Sequence, residues 1–299
     1  MGKISVVINT RNEEENLPRA IASIKNFAGE IVVVDMESTD RTVEIAKKAG
    51  AKVYSHKPTG IVEPARNFAI KKAKGDWILI LDADEEITKE LADKLKEIVS
   101  DENSADYYRI PRKNIIFGKW IKHARWWPDY NTRFFKKGKV VWSEIIHSVP
   151  ETHGKGLDLQ DSEDIALLHN NYKSIDQYIS RMNVYTSEQA KLVNKDYTFL
   201  WSDLIKKPVG EFLSRYFAGQ GYKDGVHGLV LCMLQAFSEF VLYLKVWQAQ
   251  KFEEQSVKLP DLVSAVKDVG SELHYWQADA LVRESGGILQ RVKRKFKLA

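Results

Sequence analysis

The chain has 299 residues, of which 44% are hydrophobic and 29% are charged, and its formal net charge is +4. This composition is typical of a folded protein with one large domain or two ordinary ones, and it excludes a disordered chain. The net charge is too small to indicate nucleic-acid binding on its own. The single cysteine, Cys232, excludes an intramolecular disulfide and a cysteine-based metal site. The first apolar run, ISVVI, is too short for a signal peptide or a membrane span.

Strand and helix patterns alternate four times in the first hundred residues. Apolar runs rich in β-branched residues predict strands at 4–9, 30–36, 51–56 and 76–84. Each run is followed by a helical pattern, the last of them at 88–99. This alternation predicts an α/β fold with a mostly parallel central sheet, in which ligands bind outside the carboxyl ends of the strands.

Carboxylates gather where the fourth predicted strand ends, in the segment GDWILILDADEE. Asp82 and Asp84 are predicted to lie at the carboxyl edge of the sheet, and Asp35 ends the second strand at the same edge. Mg²⁺ and Mn²⁺ take oxygen ligands, and Mg²⁺ typically uses one or two carboxylates with substrate phosphates. The alternative for Glu85 and Glu86 is that they only complement the dipole of the following helix. A dehydrogenase or a P-loop enzyme is disfavoured, because neither glycine-rich phosphate motif is present.

The pattern changes beyond the fourth predicted helix. The segments DYYRIPRKNIIFGKWI and DYNTRFFKKGKVVW predict strands, with turns at Lys113–Asn114 and Lys137–Gly138. Aromatic residues are dense between 120 and 142, a pattern compatible with sugar stacking and with core packing. The chain becomes helical from Ser174, which forms a predicted capping box with Gln177.

Three segments resemble the family 2 glycosyltransferases of the GT-A fold: VVINTRNEEENLPRAIASI, EIVVVDMESTDRTVEIAKKAGAKVY and ARNFAIKKAKGDWILILDADEEIT. Two others, WPDYNTRFFKKGKVVWSEIIHSVPE and LLHNNYKSIDQYISRMNVY, are most similar to the lipopolysaccharide-core β-1,4-glucosyltransferase subgroup. The resemblance implies a GT-A domain at 1–170, with a nucleotide-binding half (1–104) and an acceptor-side half (105–170). A helical C-terminal region at 171–299 would follow.

The resemblance implies that a nucleotide sugar binds at the carboxyl edge of the first strands. The nucleotide base would donate a hydrogen bond to Asp35, and the pyrophosphate would contact Arg66. Asp82 and Asp84 match the motif that holds the metal and the diphosphate. The residues that the family motifs place at the nucleotide sugar are Thr10, Arg11, Asn12, Glu14, Asp35, Arg66, Asp82 and Asp84.

An inverting transferase requires a general base that deprotonates the acceptor hydroxyl. The subgroup usually has V-H-E after the strand that contains R-x-F, and here Ser148 stands where Glu is expected. The candidate bases in this part of the chain are Asp129, Glu144 and Glu151. Asp129 is favoured, because it lies among aromatic residues that could seat an acceptor. The candidate metal ligands are Asp82, Asp84, His147 and His169.

These features predict a metal-dependent inverting hexosyltransferase that uses Mg²⁺ or Mn²⁺. It would move a sugar from a nucleotide donor, UDP-linked, to a glycolipid or lipid-linked saccharide. One alternative is a nucleotidyltransferase, which should have a glycine-rich loop after the first strand. The other is a non-catalytic protein that binds nucleotide sugars.

The segment Val226–Trp247 is long enough to span a bilayer, but it contains Glu239 and Lys245. On a helix its polar residues share about one third of the circumference, which favours a helix that lies in the membrane interface. The basic tail RVKRKFKLA would be attracted to an anionic leaflet. We therefore expect a cytoplasmic protein bound peripherally to the membrane. The alternative is an amphipathic helix buried against the sheet domain.

Overall fold

The computed structural model describes residues 2–58, 63–142, 150–193 and 197–298. The chain divides into two compact units, one formed by 1–115 and 127–171 and the other by 116–126 and 172–299. Most strands of the central sheet belong to the first unit, and the second unit is mainly helical.

Strand and helix alternate in the first hundred residues, as the apolar periodicity predicts. The elements are β1 (Ile4–Thr10), α1 (Leu17–Ile24), β2 (Glu30–Asp35), α2 (Thr42–Lys48), β3 (Lys52–Ser55), α3 (Glu63–Lys72), β4 (Trp77–Asp82), β5 (Glu85–Ile87) and α4 (Lys89–Ser100). All four predicted strands are present within two residues of their predicted ends, and the short β5 was not predicted.

The middle of the chain forms further strands. They are β6 (Tyr107–Ile116), β7 (Lys119–Trp120), β8 (Asp129–Lys136), β9 (Val140–Val141), β10 (Glu151–Thr152), β11 (Gly156–Asp158) and β12 (Leu167–Tyr172). The predicted turn at Lys113–Asn114 is wrong, because β6 continues through both residues. Asn114 is fully buried, and its side chain finds polar partners inside the fold, so a residue typical of turns is accommodated in a strand. The turn at Lys137–Gly138 is confirmed, with Gly138 at a φ of 88°.

The strands of the main sheet follow the order β3-β2-β1-β4-β8-β6-β12-β5. The ladders among β3, β2, β1 and β4 are parallel, where the strand–helix alternation predicts it. From β4 onward the pairs β4–β8, β8–β6 and β12–β5 are antiparallel. The sheet is therefore mixed, with its parallel half built from the first hundred residues.

Both faces of the parallel half are covered. Val6 and Ile8 of β1 pack in one apolar cluster with α1, whereas Val7 packs in another with Ala65 and Ala69 of α3. Every residue of β1 is buried. A strand buried on both faces reads as a continuous apolar run rather than an alternating one, which explains its clear signal in the sequence.

The second unit contains the remaining helices. They are α5 (Ile175–Val193), α6 (Asp203–Leu213), a π-helical turn (Ser214–Ala218), a 3₁₀ turn (Gly221–Asp224), α7 (Val226–Ala249), α8 (Leu259–Ser285) and α9 (Ile288–Phe296). The predicted capping box is present, since the Gln177 backbone N–H donates to Ser174 Oγ at 3.1 Å and Gln177 Oε1 accepts from the Lys173 backbone N–H.

The polar stripe of α7 contacts protein, and the placement of Val226–Trp247 in the membrane interface stays a prediction. Lys245 Nζ donates to the Asn183 carbonyl at 2.6 Å and to two α5 hydroxyls, and Gln235 donates to Tyr178 at 2.6 Å. Among the described residues, α7 is the one helix whose length and composition would allow it to cross a membrane. Core helices of soluble proteins meet the same criterion, so this finding is weak evidence for a span.

Candidate active site

Three predicted site residues end neighbouring parallel strands. Thr10 of β1 lies opposite Asp35 of β2, and Asn9 of β1 lies opposite Asp82 of β4. Adjacent strands are about 4.8 Å apart, so Asp35 and Asp82 stand roughly 10 Å from each other across β1. The sheet therefore brings Thr10, Asp35 and Asp82 together at the predicted carboxyl edge.

Buried polar atoms without partners lie along this edge. Asp35 Oδ2 accepts from the Ser38 backbone N–H at 3.1 Å. Within the described residues, no hydrogen bond is made by Asp35 Oδ1, by Thr10 Oγ1 or by the side-chain amide of Asn9, and all are buried. Buried polar groups in native proteins almost always have partners, so these atoms indicate that water or a polar ligand binds along this edge.

The loops beside this edge are tied to one another by two other predicted residues. Asn12, at a φ of 55°, accepts from the Thr39 backbone N–H at 2.8 Å. Glu14 accepts from the backbone N–H and the Nε of Arg41, both at 3.1 Å. Asn12 and Glu14 thus hold the loop after β1 against the loop after β2. Arg11, which precedes Asn12, is exposed.

Asp82 is held by two arginines. Arg66 of α3 donates to Asp82 Oδ1 at 2.8 Å, and Arg133 of β8 donates to Asp82 Oδ2 at 2.5 Å. Burial opposes the charged carboxylate, but the charges of Arg133 and Arg66 outweigh it and hold the pKa of Asp82 well below its usual value. Asp82 is therefore ionised at neutral pH, with both oxygens already accepting hydrogen bonds.

Arg133 is buried and joins Asp82 to Glu85. Its Nη2 donates to Glu85 Oε1 at 2.8 Å, and its side chain is only 3% exposed. Burial opposes the guanidinium charge, but the two carboxylates outweigh it and raise the pKa of Arg133. Arg133 Nε and Nη1, with Arg66 Nε, are buried donors that have no acceptor among the described residues. Such donors in a fixed planar geometry suit the oxygens of a phosphate.

Glu85 and Glu86 precede α4 as expected, but both have other polar partners, so the interpretation that they only complement the dipole of that helix is wrong. Both belong to β5, and α4 is instead capped by Thr88, whose Oγ1 accepts from Leu91 N at 3.0 Å. Glu85 is fully buried and accepts from the Asp82 backbone N–H at 2.9 Å. Glu86 accepts from Asn170 at 3.0 Å.

A chain of polar contacts connects Asp129 to Asp84. Asn114 Nδ2 donates to Asp129 Oδ2 at 3.1 Å, so Asn114 Oδ1 is left to accept from His169 Nδ1 at 2.6 Å. This contact places the proton of the His169 ring on Nδ1. His169 Nε2 then faces Asp84 Oδ2 at 3.6 Å. The predicted ligands Asp84 and His169 are therefore brought together.

Of the three candidate bases, Asp129 belongs to the chain of polar contacts that leads to Asp84. Its Oδ2 accepts from Arg112 at 2.6 Å, and its Oδ1 accepts from Asn131 at 3.1 Å. Burial would raise the pKa of Asp129, but Arg112 and the amide donors outweigh it and lower the pKa. Glu151 is exposed on β10, which pairs with β9. Glu144 and His147 lie outside the described residues.

Several residues of the cluster were not predicted from the sequence. They are Asn9, Glu85, Arg112, Asn114 and Arg133. Arg133 stands in the quoted R-x-F strand, and an arginine inside an apolar strand is a signal that could have identified it. Asn114 was interpreted as a turn residue, and only its burial reveals its role.

Comparisons with known proteins identify the family of the chain. The family model described as Glycosyl transferase family 2 matches residues 5–153. An uncharacterized glycosyltransferase of Rickettsia typhi is 32% identical over 284 residues, covering 91% of this chain and 96% of the relative. The lipopolysaccharide core biosynthesis glycosyltransferase LpsC of Rhizobium meliloti is 26% identical, with 82% and 92% covered.

Among solved structures, the chain is similar to residues 1–349 of S. aureus TarS in complex with UDP, at a TM-score of 0.45 and 17% identity, covering 86% of this chain and 94% of that one. The family assignment depends instead on the sequence relatives, which match nearly the whole length of the chain. They decide against the nucleotidyltransferase and the non-catalytic alternatives, and the predicted family and α/β fold class are both confirmed. The chain belongs to the glycosyl transferase family 2, and it is a glycosyltransferase.

Proposed function

We propose that the protein is a metal-dependent inverting hexosyltransferase that takes its sugar from a UDP-linked donor. The observation that supports this proposal best is the row of buried, unpartnered polar atoms on Asn9, Thr10 and Asp35. They lie at the carboxyl edge of parallel strands, the usual ligand position in α/β sheets. This edge ends at Asp82 and the two arginines that hold it, Arg66 and Arg133, which form the arginine cluster. One nucleotide sugar could therefore occupy both the row of polar atoms and the arginine cluster.

Each end of the donor has suitable partners in this proposal. The unpaired Asp35 Oδ1 is an acceptor for the N–H of a uracil ring. The diphosphate lies near Arg66 and Arg133, whose unused N–H donors would bind its oxygens. Asp82 keeps both arginines in place through its two oxygens. Thr10, Arg11, Asn12 and Glu14 would line the nucleoside side, with Asn12 and Glu14 shaping the loops.

Asp84 and His169 are the proposed protein ligands of Mg²⁺ or Mn²⁺. The residues fit a cation, because the Nδ1 contact with Asn114 orients the ring so that Nε2 faces the Asp84 carboxylate. Within the described chain no group of three or more His, Cys, Asp or Glu side chains forms a closed metal site, so diphosphate oxygens and water would complete the shell. When bound, the metal stabilises the charge that develops on the leaving diphosphate. Asp82 supports the site through its arginines, and His147 remains a predicted ligand.

Asp129 is the proposed general base. Its lowered pKa keeps the carboxylate ionised at neutral pH, as a proton acceptor must be. The same lowering makes proton transfer to Asp129 less favourable than transfer to a base with a pKa near 7. Proton transfer from the acceptor hydroxyl to Asp129 therefore requires that the leaving group departs while the acceptor oxygen attacks. Glu144 and Glu151 are the alternatives in this part of the chain.

The proposed acceptor is a glycolipid or a lipid-linked saccharide at the cytoplasmic face of the membrane. A relative named for lipopolysaccharide core biosynthesis, matched over 92% of its length, supports this class of acceptor. An enzyme with a lipid-bound acceptor benefits from peripheral attachment, because enzyme and acceptor then share one plane. The exposed apolar residues of α7, such as Met233 and Phe237, are compatible with contact to lipid.

A donor screen tests the proposal. The melting temperature of the full chain is measured with UDP-, GDP- and TDP-linked hexoses, each with Mn²⁺ and with EDTA, since a ligand that binds the native state raises it. We expect a rise with one UDP-sugar in Mn²⁺, together with slow hydrolysis of that donor in the absence of acceptor. If no nucleotide sugar raises the melting temperature, the proposed donor site is wrong. Equal hydrolysis in EDTA would refute the metal dependence alone.

A further inference from the structure

Within the second unit, helix α9 packs against α8 with its polar side. Gln290, Lys293 and Arg294 are half-buried, and Arg294 donates to Asp279 of α8 at 3.0 Å. Lys297, just beyond the helix, forms an ion pair with Glu272 of α8. These contacts place the side of α9 that carries Arg294 on the protein.

The apolar side of α9 therefore faces away from the protein. Ile288, Leu289, Val292 and Phe296 are 80%, 65%, 44% and 61% exposed. With 3.6 residues per turn, these four side chains lie within an arc of about 100°. An amphipathic helix on a water-soluble protein ordinarily turns its apolar face to the core. The arrangement in α9 is the reverse, and it needs an apolar partner.

Cations border this apolar arc. Arg291, Lys293 and Lys295 project within about 60° of its edges. Among the described residues, no ion pair joins any of these three side chains to a carboxylate, whereas Arg294 and Lys297 are both paired. An exposed apolar face bordered by cations that have no carboxylate partner among the described residues matches a bilayer surface with anionic headgroups.

We propose that α9 is a membrane-docking element that inserts its apolar arc among anionic lipids, with Arg291, Lys293 and Lys295 at the headgroups. The purpose of this docking, delivery of the enzyme to a lipid-linked acceptor, rests on the proposed function. A second copy of the chain is a poorer occupant, because stable dimers bury about 1,200 Å² or more in total and a helix of nine residues offers far less. The cationic border would also meet itself across a two-fold axis.

The test is sedimentation of the full chain with vesicles, without donor or acceptor. One set is made of pure phosphatidylcholine. In the other set, phosphatidylglycerol replaces one third of the phosphatidylcholine. We expect the wild type to bind the anionic set at low salt. The variant R291Q/K293Q/K295Q should bind about 100-fold more weakly, since each cation contributes about fivefold. The matched control R294Q/K297Q changes two paired cations of the same segment and should stay within a few-fold of wild type.

A second variant, Leu289→Ser with Val292→Ser, tests the apolar arc and should also weaken binding, with its melting temperature unchanged. The proposal is overturned if the wild type stays in the supernatant or if both vesicle sets bind it equally. It is also overturned if the control R294Q/K297Q loses as much vesicle affinity per removed charge as the triple variant. It is also overturned if the wild type forms a dimer that the Leu289 and Val292 variant does not. Transfer to a soluble acceptor is measured in parallel, so failure of the docking proposal and failure of the proposed transferase are distinguishable.

Discussion

Asn114 is expected to control the metal affinity of a site that it does not touch. Its Oδ1 accepts from His169 Nδ1 at 2.6 Å, and this contact fixes which nitrogen of the ring faces Asp84. Partners of this kind behind a metal ligand typically contribute 10- to 100-fold in affinity. We predict that Asn114→Leu, which removes the acceptor at similar volume, weakens Mn²⁺ binding by about that factor, or about 1.4 to 2.8 kcal/mol.

The same substitution should reduce stability. Asn114 is fully buried, and its loss leaves His169 Nδ1 and one hydrogen-bond site of Asp129 without their partner. Each such loss costs about 1 to 3 kcal/mol, so the free energy of unfolding should fall by about 2 to 6 kcal/mol. A domain in the upper part of the usual range of about 5 to 15 kcal/mol remains mostly folded after such a loss. Urea unfolding measures this change independently of the metal.

The assay is titration of Mn²⁺ followed by electron paramagnetic resonance, at a UDP concentration that saturates the protein. Asn170→Leu is the matched control, because Asn170 is next to His169 on β12 but donates to Glu86. Asn114→Asp keeps an acceptor for His169 and should restore most of the affinity. If Asn114→Leu binds Mn²⁺ as the wild type does, or if the control weakens it equally, the connection through His169 is refuted.

Other predictions concern the metal, the base and acid stability. Asp84→Asn should lower transfer by more than about 10²-fold and abolish its dependence on Mn²⁺, with the circular dichroism spectrum preserved; activity that persists in EDTA would contradict this. Asp129→Asn should lower kcat by about 10²-fold or more with the donor Kd nearly unchanged, as single-turnover kinetics can show. Burial would raise the pKa of Glu30, but Lys52, Ser5 and the Lys74 backbone N–H outweigh it and lower the pKa to about 2. The stability from ionised Glu30 is complete above its ordinary pKa of 4.5 and is lost as the pH falls toward 2, so Glu30→Gln should flatten the urea-unfolding profile across that interval.

The fold was predictable wherever local patterns determined it. Every residue of β1 is buried, so its apolar run is unambiguous, and the helices between parallel strands have their own periodicity. Thr10 and Asp35 could be placed side by side because parallel strands share one carboxyl edge. Such inferences need only neighbouring residues and the rules of strand–helix alternation.

The arginine cluster could not be predicted in this way. Arg133 is 51 residues from Asp82 and 48 from Glu85 along the chain. Its burial is tolerable only because both carboxylates meet it, and that condition depends on the antiparallel pairing of β8 with β4. Asn114 shows how a local preference can mislead. Asparagine is common in turns, but here tertiary contacts supply its polar partners and it lies within a strand.

The geometry explains how four carboxylates fit within five positions after β4. Asp82 is neutralised by arginines from α3 and β8, and Glu85 shares one of those arginines from a fully buried position. Glu86 is on the other side of the short β5, where Asn170 donates to it. The carboxylate of Asp84 faces His169 Nε2 at 3.6 Å. Protein cations and donors thus relieve the repulsion among Asp82, Glu85 and Glu86, and the pair of Asp84 and His169 is where we propose that a divalent cation binds.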